Sequence, residues 1–345
     1  MIPDLVALRR ERLLEGYAGP EGPGPRVGVP RAMFFFDRFP FWRTLLQELG
    51  CAVVLSDDTN RTIANAGIDL AVAEPCYPIR IAHGHVRELL AADAEYLLLP
   101  NTVNAEPTPD APESHLCPWA QTLPFVVGSV PRLREVRERI LAPTVHFRLG
   151  PVRVAEQLVP LGRRLGASAV PTRRAVGAGF EAQRVFRLAL ETAGRAALAA
   201  LEACREPGIV LVGRPYNLYD QAVNLDLPRK LRDFYGVNVL PLDCLPVDAE
   251  DIRDVNDNMY WHSGRRILAA AKLAARSRHL HLIYCTNFKC GPDSYVKHFV
   301  APALGKPFLS LCFDEHSSDA GMLTRCEAYL DSQGILRWWR KPLPA

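Results

Sequence analysis

The 345-residue sequence contains no apolar run of membrane-spanning length, so no transmembrane helix is expected. Its amino end, Met1-Ile2-Pro3-Asp4-Leu5, passes at once into Arg9-Arg10-Glu11-Arg12. With neither an apolar core nor a small-residue cleavage site, it does not read as a secretory signal, and the expected location is cytoplasmic. A strong field of one sign is also missing. The net charge of +3 is small for this length and argues against nucleic acid as a partner. No Cys-x-x-Cys pair occurs, which disfavours a structural zinc site.

What is present is the composition of a globular protein, 48% apolar and 23% charged, in a chain long enough for two cores. Nine cysteines without an export signal point away from a disulfide framework and toward buried thiols plus a metal or redox site.

An amino-terminal helix and a Gly/Pro-rich linker are expected over 1–25. An α/β pattern follows over 26–131, with short buried strands at Arg26–Val29, Ala52–Ser56, Leu70–Ala73, Tyr96–Pro100 and Phe125–Gly128. Helices are expected at Phe41–Leu49 and Ile79–Ala92. Over 132–206 the strand signal fades into a helical connector, with amphipathic stretches at Arg132–Leu141 and Glu181–Cys204. A second α/β pattern fills 207–345, with strands at Ile209–Gly213, Val237–Leu240, Leu280–Cys285 and Phe308–Phe313. Its helices are expected near Leu227–Tyr235, Gly264–Ala275 and Ala320–Leu330. Both halves open alike, Val27-Gly28-Val29-Pro30 and Val212-Gly213-Arg214-Pro215. The fold class is therefore α/β: two Rossmann-like, doubly wound lobes with short parallel sheets and a helical connector. Ligands in such sheets sit beyond the carboxyl ends of the strands.

Three cysteines share a local design. Cys76 lies in Glu74-Pro75-Cys76-Tyr77-Pro78, Cys117 precedes Pro118 after the long loop Asn101–Leu116, and Cys290 lies in Cys290-Gly291-Pro292-Asp293. Proline favours the first helical turn, so each thiol is expected at a helix amino terminus, where the dipole favours a thiolate. Cys76 and Cys290 are also expected at strand ends of different lobes, facing one cleft. Cys51, Cys204, Cys312 and Cys326 read as small core hydrophobes. Cys244 and Cys285 are weaker candidates, and either of them or a histidine could complete a ligand set. Single thiols converging from distant loops suit a cluster between lobes.

At these residues the sequence resembles the carboxyl-terminal domain of the large CoA-substrate-specific acyl-CoA dehydratase activases, which is related to the 2-hydroxyacyl-CoA dehydratase subunits. The matching phrases include Val29-Pro30-Arg31-Ala32, Pro40-Phe41-Trp42, Glu74-Pro75-Cys76-Tyr77-Pro78 with His83-Gly84-His85, and Cys117-Pro118. In the second half they are Gly213-Arg214-Pro215-Tyr216-Asn217, Met259-Tyr260-Trp261, Thr286-Asn287-Phe288-Lys289-Cys290-Gly291-Pro292-Asp293-Ser294 and Asp314-Glu315-His316-Ser317. The resemblance implies a 4Fe–4S iron–sulfur cluster on Cys76, Cys117 and Cys290. It also implies one-electron reduction by a separate ATP-hydrolysing activator of the acetate-and-sugar-kinase type, since no phosphate-binding glycine loop occurs here. An acyl-CoA or other small molecule is the implied substrate, and a homodimer is an open assembly. Lys289 stands where glycine is usual in the family, and Cys285 where an aliphatic residue is expected.

Other groups carry expectations of their own. Glu315 and His316 are candidate proton donors or acceptors. Arg214 and Tyr216 could orient an anionic or carbonyl group, and Asn287 and Ser294 could donate hydrogen bonds around the Cys290 sulfur. His83 and His85 read as helix-surface residues, of which at most one faces the cleft. Trp338-Trp339-Arg340 reads as a partner-docking patch or a lid. Three functions compete: a catalytic iron–sulfur reductase or dehydratase-like subunit, a non-catalytic electron carrier or assembly protein, and a metal-free small-molecule-binding module.

Overall fold

Asp4 accepts hydrogen bonds from the amides of Val6 and Ala7 and so starts α1 (Leu5–Leu14). The computed structural model describes residues 1–108 and 113–336. The expected docking patch at Trp338-Trp339-Arg340 lies outside them.

The first lobe runs β1 (Arg26–Val29), α2 (Phe35–Glu48), β2 (Ala52–Leu55), α3 (Arg61–Leu70), α4 (Tyr77–Ala91), β3 (Tyr96–Leu98), β4 (Asn101–Asn104), α5 (Pro118–Ser129), β5 (Ile140–Leu141) and β6 (Thr144–His146). Two helices follow, α6 (Gly150–Arg164) and the 36-residue α7 (Ala169–Cys204). The second lobe runs β7 (Gly208–Gly213), α8 (Pro215–Tyr219), α9 (Leu227–Tyr235), β8 (Asn238–Pro241), α10 (His262–Ala275), β9 (Leu280–Asn287), α11 (Gly291–Leu304), β10 (Leu309–Phe313) and α12 (Asp319–Ser332).

Both main sheets are parallel and share one order. The first is β2-β1-β3-β5, and the second, read from its β8 edge, is β8-β7-β9-β10. In each, the first strand lies between the second and third, so the winding direction reverses beside it and leaves a crevice at the strand ends. The central strands are buried and apolar, as parallel strands covered by helices must be. The fold is thus α/β with two Rossmann-like lobes.

Helix α1 packs on both lobes: it touches α2 of the first, where Arg9 Nη2 donates to Phe36 O, and reaches β8 of the second. Ile2 N donates to Asn238 Oδ1 at 2.9 Å, in the second lobe. Arg9, almost wholly buried, pairs with Asp243 at 2.7 Å and lies 3.6 Å from the Tyr219 ring centroid. The chain start therefore bridges the two lobes, and α7 packs against α1, α2 and α6.

Three expected elements are corrected. Leu70–Ala73 is not a strand: Ile63, Ala64, Gly67 and Leu70 fall on one face at helical spacing, and Asn60 caps α3. Phe125–Gly128 lies inside α5, because the capping Cys117 and Pro118 start a helix that runs through it. Arg132–Leu141 is not one amphipathic helix: Pro131–Arg139 forms short 3-10 turns broken by a kink at Leu133, after which Ile140–Leu141 adds a strand beside β3. The expected loop Asn101–Leu116 begins as β4, which pairs with β6.

Candidate functional site

Cys76, Cys117 and Cys290 are the N-cap residues of α4, α5 and α11. Each helix carries proline in its first two positions, and in none does the capping side chain spend itself on a cap hydrogen bond. All three thiols are buried. Cys290 follows β9, with only Phe288 and Lys289 between, but Cys76 follows a helix, α3, and not the expected strand.

Different devices bring the three segments to the cleft. The Cys117 segment is pinned to the second lobe by backbone bonds: His115 N donates to Tyr260 O at 2.8 Å, and His262 N to His115 O at 2.9 Å. Helix α4 is held by close approach to α3, since a Cβ on Gly84 would sit 1.9 Å from the Ile63 carbonyl oxygen. Three side-chain links then join α3–α4 and their approaches to the second lobe: Glu74 with Lys289, Arg80 with Glu315, and Thr59 with Asp220.

The sulfurs share one electrostatic neighbourhood. Cys76 senses Cys117, Arg214 and Asp293, Cys290 senses Asp293, Arg214 and Cys76, and the buried phenol of Tyr216 senses all three sulfurs. Burial pushes the Cys76 thiol up to about 12, with the Cys117 sulfur adding to the rise. It pushes Cys290 up as well, with Asp293 reinforcing it. The expectation that helix dipoles would favour thiolates is therefore corrected for Cys76 and Cys290: desolvation outweighs the helix terminus, and without a metal these two are neutral thiols.

Arg214 caps α8 just beyond β7 and is buried. Its Nε donates to Asp293 Oδ1 at 2.9 Å, while Thr286 Oγ1 donates to Asp293 Oδ2 at 2.8 Å. Burial works against the guanidinium charge, but Asp293 overcomes it and holds the group well above its ordinary value. Asn287 Oδ1/Nδ2 and Ser294 do not point their bonds at the sulfur: Asn287 Nδ2 donates to Phe313 O at 3.4 Å, and Ser294 Oγ to Cys290 O at 2.8 Å. They shape the loop and the helix start around Cys290. Tyr216 lies under the same crevice, beside Arg214.

Glu315 is bound to Arg80, whose hydrogen bond holds its carboxyl below the usual range. The His316 side chain is 85% exposed, so it is not brought to the thiols. The surface reading of His83 and His85 is corrected, because both are fully buried by the tight α3–α4 packing. His83 Nδ1 bonds to Ile79 O, while His85 bonds through Nδ1 to Ser56 Oγ at 2.8 Å and through Nε2 to Thr59 Oγ1 at 2.9 Å. Thr59 in turn donates to Asp220 Oδ2 at 2.6 Å, making a buried polar chain across the two lobes that the sequence reading missed.

The weaker cysteine candidates lie elsewhere. Cys244 has Asp243, Arg9 and Arg266 as its charged neighbours, and Cys285 has Cys326. Cys204 and Cys312 are exposed and not core thiols: one ends α7, and the other lies on the edge strand β10. Among the described residues, no group of three or more His, Cys, Asp or Glu is placed to hold a single metal ion.

A cavity opens beside Cys117, between the lobes. Phe34, Leu123 and Thr102 line it from one side, and Arg214, Tyr216 and Ser263 from the other. Its volume of about 70 Å³ has room for a handful of water molecules, at roughly 10–15 Å³ each, and so for a short organic group. No helix among the described residues is long and apolar enough to cross a membrane.

No curated protein matches the chain. A family model described as CoA enzyme activase uncharacterised domain (DUF2229) matches residues 26–245. That span takes in Cys76, Cys117, Arg214 and Tyr216 and ends before Cys290. The match covers well over half of the sequence, and this chain therefore belongs to the CoA enzyme activase domain family.

Proposed function

We propose that this chain is an iron–sulfur protein related to the 2-hydroxyacyl-CoA dehydratase subunits, with Cys76, Cys117 and Cys290 holding a 4Fe–4S cluster. The observation that carries the reading is the convergence of three helix-capping thiols, from segments far apart in sequence, on one buried neighbourhood with Arg214 and Tyr216. The donor set fits such a group. Three soft sulfur ligands at helix starts are available, beside a buried guanidinium nitrogen, Arg214 Nη2, that has no partner. A single ion would need its donors drawn tightly together, whereas a four-iron cube takes sulfurs that stand farther apart.

Such a cluster supplies one-electron chemistry at low potential. The chain's own part is to exclude water from the sulfurs, hold them on three helix starts and keep a fixed positive charge beside them. Metal binding would displace the thiol protons that burial retains, so uptake of iron should be favoured by rising pH. The cavity at Cys117 is the place for the reacting end of a small substrate such as an acyl-CoA, the rest of which would lie outside it. The electron comes from a separate ATP-hydrolysing activator in the cytoplasm, with either one chain or a homodimer as the acceptor.

A metal-free binding module is the second reading, favoured by the neutral state of the Cys76 and Cys290 thiols. Anaerobic reconstitution followed by iron and sulfide analysis separates the two. Colour and about four irons per chain are expected, and an iron-free, colourless product would leave only the binding module. Adding acyl-CoA thioesters to the reduced protein then tests catalysis. A spectral change marks a substrate at the cluster, and no change with any thioester marks a carrier.

A further inference from the structure

Arg214 combines features that a purely structural ion pair does not require. It is buried, its Nε is engaged by Asp293, and Asp293 is itself fixed by Thr286. The guanidinium therefore cannot swing away to satisfy its remaining donors elsewhere. Its Nη2 is buried with no acceptor, although a dry, unpaired charged donor is costly. The same group lies in the field of the Cys290 and Cys117 sulfurs, and Asp293 sits in the first turn of the helix that Cys290 caps.

We propose that Arg214 is a positioning residue of the thiol site: locked by Asp293 and Thr286, it turns its free Nη2–H toward the group held by Cys117 and Cys290 and fixes that group's reduction potential. The inference rests on the cluster reading above. Its sign follows from electrostatics. A fixed positive charge near a buried redox centre favours the state with the extra electron, so it raises the potential. Thr286 acts one step further out, by holding the Asp293 carboxylate in the orientation that aims the guanidinium.

The test uses the full chain, reconstituted anaerobically, as wild type, Arg214→Lys, Arg214→Met and Thr286→Val. Iron and sulfide per chain are measured alongside a redox titration followed by electron paramagnetic resonance. Arg214→Met should shift the midpoint to more negative potential. Arg214→Lys, which keeps the charge but not the forked geometry, should recover part of the shift. Thr286→Val should move the midpoint the same way by less, with iron content unchanged, which a merely structural role would not do. If Arg214→Met fails to fold because Asp293 is left unpaired, Arg214→Lys together with Thr286→Val carries the test. A loaded wild type whose midpoint is unmoved in these variants overturns the role of Arg214 alone. A wild type that takes up no iron overturns the cluster reading instead.

Discussion

Lys289, the residue before Cys290 in the second lobe, forms an ion pair with Glu74, two residues before Cys76 in the first. The pair ties together the two loops that present these thiols. It does so at a conformational cost, because Lys289 has φ +66°, in the left-handed region where a side chain is disfavoured by about 1 kcal/mol or more. A glycine there would carry no such strain.

Lys289→Gly is therefore expected to leave the melting temperature nearly unchanged, since relief of strain offsets the greater freedom of glycine in the unfolded chain. Lys289→Val should lower it clearly, because a β-branched residue fits this backbone worst. Thermal unfolding of the three proteins side by side checks the contrast. Equal melting temperatures for the glycine and valine variants would contradict it.

Gly84 is where α4 meets α3 most closely. An alanine there would drive its methyl into the Ile63 carbonyl, an atom that cannot rotate away. Gly84→Ala should cost about 3 kcal/mol, with the helices forced apart and the Cys76 end of α4 displaced. Denaturant titration measures the loss, and a cost below about 1 kcal/mol would show that the two helices can separate freely.

The polar chain Arg31 N–Ser56–His85–Thr59–Asp220 makes a pH prediction with two opposing parts. Burial lowers His85 from 6.5 to about 3, with Arg31 contributing. The folded state thus binds fewer protons there, and the stability this confers is whole above about 6.5 and is lost as pH falls toward 3. Burial raises Asp220 from 3.8 to about 6, against the hydrogen bond from Thr59. Its contribution has the other sign, present below 3.8 and lost as pH rises through 6. Asp220→Asn removes the second part, so the free energy of unfolding should fall more steeply with acid between pH 6 and 4 than in the wild type. Parallel pH profiles from chemical denaturation would show that the two groups do not titrate as their surroundings dictate.

Much of this architecture was legible in the sequence. Val27–Val29 and Ile209–Gly213 announce buried parallel strands, and proline after each of three cysteines marks the helix starts they cap. The elements that were misread have a common physical origin. Leu70–Ala73 and Phe125–Gly128 are short apolar runs that suit a buried strand and a buried helix equally, and only the capping residues upstream, Asn60 and Cys117, decide between them. Burial of His83 and His85 depended on a glycine contact between two helices, which no local pattern discloses. The partnership of Arg214 with Asp293 and Thr286 joins residues as many as 79 positions apart and emerges only when β7 and β9 pair.

The most direct test of the central proposal is iron bound per chain after anaerobic reconstitution, in the wild type and five single variants. Cys76→Ala, Cys117→Ala and Cys290→Ala should each lose most of the iron and its paramagnetic signal. Cys51→Ala and Cys326→Ala, buried thiols away from the shared neighbourhood, should retain both. Equal iron in all five variants, or none in the wild type, would contradict the assignment.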